Sequence, residues 1–208
     1  MRGNPPPASV VAPISPERRA RSLRETLARA PRRDALHVFA YATLMWRPCF
    51  ESDARHPATL HGYSRELSIW SVFARGTPEA PGLGFALEEN SGGHCNGVLY
   101  RLPPGTGEKE LEPLWEREMW TDGYRAEWVE VAVDGERLPA LTFVIRTDHP
   151  QYAGRLPLDR KAEYIARAHG KYGPCRDCLA ETVYELRGLG FGDPGLEEVL
   201  AAVDALGA

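Results

Sequence analysis

Residues 37–50 read HVFAYATLMWRPCF. The stretch begins as an apolar run with the length of a buried strand, breaks at Tyr41-Ala42-Thr43-Leu44, and stops at Trp46-Arg47-Pro48. A short apolar run bounded by Pro is usually a strand leaving a core through a loop. What the loop does depends on the rest of the chain.

Downstream, the pattern continues as strands. Runs at 36–41, 58–63, 66–73, 83–88, 94–102, 126–133 and 138–146 are rich in β-branched and aromatic residues and separated by Gly, Pro and Asp clusters. NSGGHCNG (90–97) reads as a turn between two of them. Helical periodicity appears at 108–120 and dominates after Pro157, at 158–170, 175–188 and 194–206. The fold class is therefore α+β, with helices set beside a curled, mostly antiparallel sheet or barrel.

Upstream, Met1 to Ser15 is rich in Pro and small residues and reads as a flexible tail. Ser15-Pro16-Glu17 then supplies an N-cap, a Pro at the first helical position and an acid in the first turn, which predicts an arm helix to Ala30. The division expected is a tail and arm over 1–35 and a catalytic domain over 36–208.

The 208 residues are 43% hydrophobic, enough for one substantial core. A net charge of −4 argues against a nucleic-acid binder, although Arg18, Arg19, Arg21, Arg24, Arg29, Arg32 and Arg33 crowd the arm. No apolar run approaches the roughly 20 residues of a membrane span, and no secretory h-region opens the chain. A cytoplasmic protein, with no nucleic-acid or membrane partner, is expected. Cys49, Cys95, Cys175 and Cys178 are spaced too irregularly for a disulfide framework. CRDC (175–178) lacks a second ligand pair, so no metal site is expected and the thiols read as the start of a helix.

One residue is out of place. In EKELEPLWEREMW (108–120), Leu111, Leu114 and Trp115 form an apolar stripe, and its next position is Glu118. A buried carboxylate costs several kcal/mol unless it is paired, protonated or completed by a ligand. The helix stops at Thr121-Asp122-Gly123, so the macrodipole also disfavours the charge there. Both effects raise the pKa towards what a general base needs; the plainer alternatives are a salt bridge to Arg117 or Arg125 and a surface Glu that snorkels to solvent. Tyr124 and Arg75 read by themselves as a strand-end Tyr and a loop Arg.

Five blocks, VFAYATLMWRP (38–48), RGTPEAPG (75–82), GVLYRL (97–102), REM followed by GYR (117–125) and YAGRL (152–156), resemble the ChaC-type γ-glutamylcyclotransferases in order and spacing, over roughly residues 36–193. The resemblance implies a small mixed β-barrel flanked by helices and a reaction that converts a γ-glutamyl amide, typically glutathione, into 5-oxoproline and the released amine. It implies Glu118 as catalytic acid/base, and a substrate segment over Val38, Phe39, Ala40, Tyr41, Ala42, Thr43 and Leu44, with Arg75 and Tyr124 as further contacts. No cofactor is implied, and the only partner is a small-molecule substrate: glutathione, or alternatively another γ-glutamyl amine or dipeptide. A non-catalytic binder on the same scaffold is the remaining alternative. Ala42 and Thr43 depart from the family's Gly and Ser, adding two methyls and, at Ala42, removing the freedom for positive φ.

Overall fold

His37-Val38-Phe39-Ala40 is buried at every position and forms strand β1 (His37–Ala40). A strand with no polar alternation must be covered on both faces. In the computed structural model, which describes residues 5, 6 and 11–207, β1 runs antiparallel to β3 (Gly82–Arg101), with His37 opposite Arg101 and Ala40 opposite Val98. On its other side it is parallel to β5 (Glu136–Ile145), through Val38 and Leu141. With β2 (Ala54–Ser71) and β4 (Tyr124–Val133), the strands close a barrel in the order β1-β3-β2-β4-β5. Closure satisfies the backbone groups that an open edge would expose.

The β4–β5 hairpin is in register from Tyr124 opposite Ile145 to Val133 opposite Glu136. Its two-residue turn, Asp134-Gly135, takes φ of 49° and 85°, as a type I′ turn requires. Elsewhere the expected boundaries need correction. The runs at 58–63 and 66–73 are one strand, β2, and those at 83–88 and 94–102 are one strand, β3, so NSGGHCNG is mid-strand and not a turn. Gly62 takes φ +83° within β2, a conformation open to Gly at little cost, and Asn90 Nδ2 donates to Ser64 Oγ at 2.7 Å. Turn-type residues here serve a long, half-exposed ribbon.

Five α-helices lie among the described residues: α1 (Pro16–Ala28), α2 (Gly107–Glu118), α3 (Leu158–Arg167), α4 (Cys175–Gly188) and α5 (Pro194–Ala205). Each is within a few residues of its sequence expectation. The expected tail falls partly on residues 1–4 and 7–10, outside the described residues.

The chain divides into two compact units. One comprises Pro13–Arg65 and Leu87–Arg146. In it, Ser15 Oγ caps α1 by accepting from Arg18 N at 3.2 Å. Trp115 Nε1 donates to Ser22 Oγ at 2.8 Å and Trp128 Nε1 to Thr26 O at 3.0 Å, which strap α1 down. Arg18 reaches across to Asp122, whereas Arg19, Arg32 and Arg33 turn to local acceptors: Ile14 O, Asp34 and Ala28 O.

The other unit comprises the described residues within Met1–Ala12, Glu66–Ala86 and Thr147–Ala208. There Trp70 packs edge-on against Tyr164 of α3 at 4.8 Å. Exposed pairs Arg176–Asp204 and Arg187–Glu197 link α4 to α5. The CRDC thiols sit buried in the first turn of α4, and Cys175 Sγ donates to Leu83 O at 3.1 Å. Burial pushes the Cys175 thiol up to about 12, so it stays protonated near neutral pH.

Candidate active site

The candidate site lies in the unit of Pro13–Arg65 and Leu87–Arg146, where α2 and the end of β1 meet on one residue of β5. Leu111, Leu114 and Trp115 are fully buried along α2. The Trp115 ring packs edge-on against Phe143 with centroids 5.4 Å apart. One turn on, the stripe ends at Glu118, the last residue of the helix, with Met119 as its C-cap.

The Glu118 side chain is 19% exposed, neither a snorkelling surface group nor sealed from a ligand. Burial raises its pKa above the ordinary carboxylate value, and the Arg117 guanidinium partly opposes that rise. Arg117 Nε lies 3.2 Å from Glu118 Oε1, so the alternative of an ion pair is realised together with the buried acid. Arg117 also donates to Arg47 O at 2.8 Å, which holds it in place. Arg125, the other partner considered, instead pairs with Glu89 and Glu127.

Tyr41 follows β1 directly. Its hydroxyl donates to Phe143 O at 2.9 Å, and its carbonyl oxygen accepts from Arg65 Nε. The phenol is held well above its usual pKa, first by burial and then by Tyr124, Glu118 and Cys95 around it. Tyr124, at the start of β4, and Glu118, at the end of α2, are therefore both electrostatic neighbours of Tyr41, at the end of β1. Tyr124 is half-buried and opposes Ile145.

Beyond Tyr41 the backbone turns through a short 3-10 segment, Thr43–Met45, closed by Met45 N donating to Ala42 O at 2.7 Å. Leu44 and Met45 are buried, whereas Ala42 and Thr43 are half-exposed. Tyr100 Oη fixes the end of the turn by donating to Met45 O at 2.6 Å. Ala42 has φ of −144°, so the position does not call on the conformational freedom of Gly. What remains of the departure from Gly and Ser is the space taken by two methyls.

Val38, Phe39 and Ala40 lie inside β1 with their side chains in the core. They carry the loop, whereas Ala42 and Thr43 present it. Arg75 lies in the other unit, where its guanidinium donates to Tyr172 O at 2.6 Å and Pro174 O at 3.2 Å. These bonds tie it to a two-stranded ribbon, β6 (His169–Gly170) and β7 (Gly173–Pro174).

Sequence reasoning missed two neighbours of the site. Cys49 has its thiol raised by burial, lowered by Arg117 and raised by Glu118, so it borders the acid. Arg65 holds the carbonyl of Tyr41 from β2; it sits in the gap between the two runs expected as strands, 58–63 and 66–73. A groove of about 410 Å³, lined among others by Arg24, Arg33, Pro104 and Glu108, contains none of the candidate residues.

Comparison with known proteins adds an independent line. A family model described as ChaC-like protein matches residues 36–206. The chain is 38% identical over 193 residues to the glutathione-specific gamma-glutamylcyclotransferase of Escherichia coli K12, covering 92% of this chain and 83% of that protein. It is 33% identical over 154 residues to the human glutathione-specific gamma-glutamylcyclotransferase 1, covering 70% and 69%. Among solved structures, that of the yeast gamma-glutamyl cyclotransferase specific to glutathione superposes with a TM-score of 0.75 at 22% identity, covering 83% of this chain and 96% of that one. At that identity the superposition speaks for the fold.

Proposed function

The chain belongs to the ChaC-like protein family, and from that premise we propose that it is a γ-glutamylcyclotransferase that converts glutathione into 5-oxoproline and Cys-Gly. Relatives bearing the glutathione-specific name over most of their length support this substrate. The observation that carries the mechanism is the acid at the end of the apolar stripe: Glu118, part-buried, raised in pKa, and an electrostatic neighbour of Tyr41.

The γ-glutamyl group brings its own nucleophile. Its α-amine attacks the γ-carbonyl carbon, the new C–N bond closes a five-membered lactam, and the bond to the cysteine nitrogen breaks. The protein supplies no Ser or Cys nucleophile; it folds the substrate so that two of the substrate's own groups meet. The amine, with a pKa of about 8, must first lose a proton. Glu118 takes that proton and returns it to the departing cysteine nitrogen, so the base is regenerated each cycle. A carboxylate whose pKa is raised by burial lies closer to that of the amine, which makes the first transfer less uphill than it would be to an exposed carboxylate.

Negative charge gathers on the γ-carbonyl oxygen as the amine attacks, and the α-carboxylate carries another. Backbone N–H groups of a tight loop stabilise such oxygens without reorganising. Tyr41, Ala42 and Thr43 supply that loop. The phenol of Tyr41, held neutral and bonded to Phe143 O, keeps the loop's entry fixed. Tyr124, a half-buried neighbour of Tyr41, is a further contact for the substrate. Nucleophile and electrophile both belong to the substrate, so the reaction calls for no cofactor. We place the enzyme in the cytoplasm, which its free cysteines support.

Incubating the purified protein with glutathione and resolving products by mass spectrometry tests this reading. Matching amounts of 5-oxoproline and Cys-Gly are expected. Free glutamate, or unchanged glutathione, would refute it.

A further inference from the structure

Arg65 lies within β2, and its guanidinium reaches two main-chain carbonyls: Nε donates to Tyr41 O and Nη2 to Asn96 O. The Tyr41 carbonyl belongs to the peptide joining Tyr41 to Ala42, the first link of the substrate loop. A trans peptide is planar, with C=O and N–H pointing in opposite directions, and no peptide bond among the described residues is cis. Turning Tyr41 O towards Arg65 therefore turns Ala42 N–H to the other side of the loop. Without that hold the peptide could flip, and a carbonyl oxygen would face the anionic oxygens of a γ-glutamyl group.

The second carbonyl explains why the residue is Arg. Asn96 precedes Gly97, where a Cβ would come within 2.2 Å of Ala40 O and 3.0 Å of the Phe39 ring. β3 thus runs close alongside the end of β1, to which it is paired as far as Ala40 opposite Val98, and Arg65 binds one carbonyl on each chain just beyond that paired stretch. Asn96 is itself fixed, its Oδ1 accepting from Thr59 Oγ1 at 2.8 Å. A planar guanidinium offers two donors in fixed relative geometry, whereas an ammonium is a point charge on a flexible stem.

We propose that Arg65 is a positioning residue for the cyclisation: it locks the Tyr41–Ala42 peptide so that Ala42 N–H is offered to an anionic oxygen of the γ-glutamyl group. The proposal rests on the reading that residues 41–44 hold that group, and its test separates the two. Arg65 acts through the loop and does not itself touch the reacting atoms.

The test uses Glu118→Gln as background, so that glutathione persists, and follows the backbone amide resonances of Ala42 and Tyr124 by NMR during a glutathione titration. In the background protein both resonances are expected to shift at saturation. Adding Arg65→Met should abolish the Ala42 response and weaken binding while the remaining spectrum stays that of a folded protein. In the protein with Glu118 intact, Arg65→Met should lower kcat/KM by about 10², the scale of losing one oxyanion donor. An undiminished Ala42 shift in the double variant would overturn the role of Arg65 and leave the loop reading standing. A Tyr124 shift without any Ala42 shift in the background protein would overturn the loop reading, and this proposal with it. Should Arg65→Met unfold, Arg65→Lys keeps the charge without the fork, and an undiminished Ala42 response there would equally refute the proposal.

Discussion

The hydroxyl of Tyr41 donates a 2.9 Å hydrogen bond to the carbonyl oxygen of Phe143, and the ring of Phe143 packs against Trp115, three residues before Glu118. One residue of β5 thus sets the position of both the loop and the acid. In the closed barrel, β1 and β5 are paired, so the loop's starting point cannot move independently of that residue.

Tyr41→Phe tests this coupling. It removes the donor and leaves Phe143 O buried without it, so a loss of about 1–3 kcal/mol in stability is expected. Denaturant unfolding measures it. Turnover should fall as well, because the loop loses its tie to the strand that positions α2. Unchanged stability and rate would show that the bond positions nothing.

The pH dependence follows from Glu118. Burial holds its pKa above the ordinary value despite Arg117. The base works ionised, so kcat/KM should fall as pH drops through that raised pKa, on an acid limb lying above the usual glutamate value of about 4.3. The same shift has a sign for stability. A folded-state pKa above the unfolded one favours folding below the unfolded pKa, and that contribution is lost as pH rises through the folded pKa. Glu118→Gln is therefore expected to melt no lower than the unaltered protein at neutral pH, with the two converging below about pH 4. A much lower melting temperature for the variant at neutral pH would mean that the Arg117 ion pair outweighs the burial.

How much of this was legible in the sequence depends on how far the determining contact lies along the chain. α4 begins at Cys175 as its pattern indicates, and Asp134-Gly135 makes the turn that its composition demands, because both are local. Glu118 stood out because helical periodicity is also local. β2 and β3 were each divided, at Ser64-Arg65 and at Gly92-Gly93, where the strand pattern lapses; both stretches belong to one ribbon of β2 beside β3, whose pairing the pattern of either segment alone does not carry. Arg65 was invisible for the same reason: its acceptors lie 24 and 31 residues away and are backbone atoms, which carry no residue signature.

The loop itself is tested by size. Ala42→Gly combined with Thr43→Ser should preserve the reaction and alter substrate affinity or tolerance of the leaving group. The Gly substitution costs roughly 0.5–1 kcal/mol whatever the ligand does, so melting curves accompany the kinetics. Ala42→Trp should fold and fail to bind. Normal turnover by folded Ala42→Trp would return residues 41–44 to an ordinary strand end.

The nucleophile is tested on the substrate. N-acetylation of the α-amine of glutathione removes the attacking lone pair, so the purified protein should release no Cys-Gly from N-acetyl-glutathione. A protein-borne nucleophile has no such requirement. Release of Cys-Gly from the blocked substrate would overturn the cyclisation mechanism.

The central claim is that the acid at the end of the α2 stripe moves the proton. Glu118→Gln keeps the shape of that side chain and removes only its basicity, so the measurement is the glutathione turnover of this variant, with glutathione affinity by calorimetry and a melting curve as controls. Turnover should fall by about 10² to 10⁴, the usual worth of a general base, while affinity and fold are retained. A folded variant that turns over glutathione within a few-fold of the unaltered protein would contradict the account.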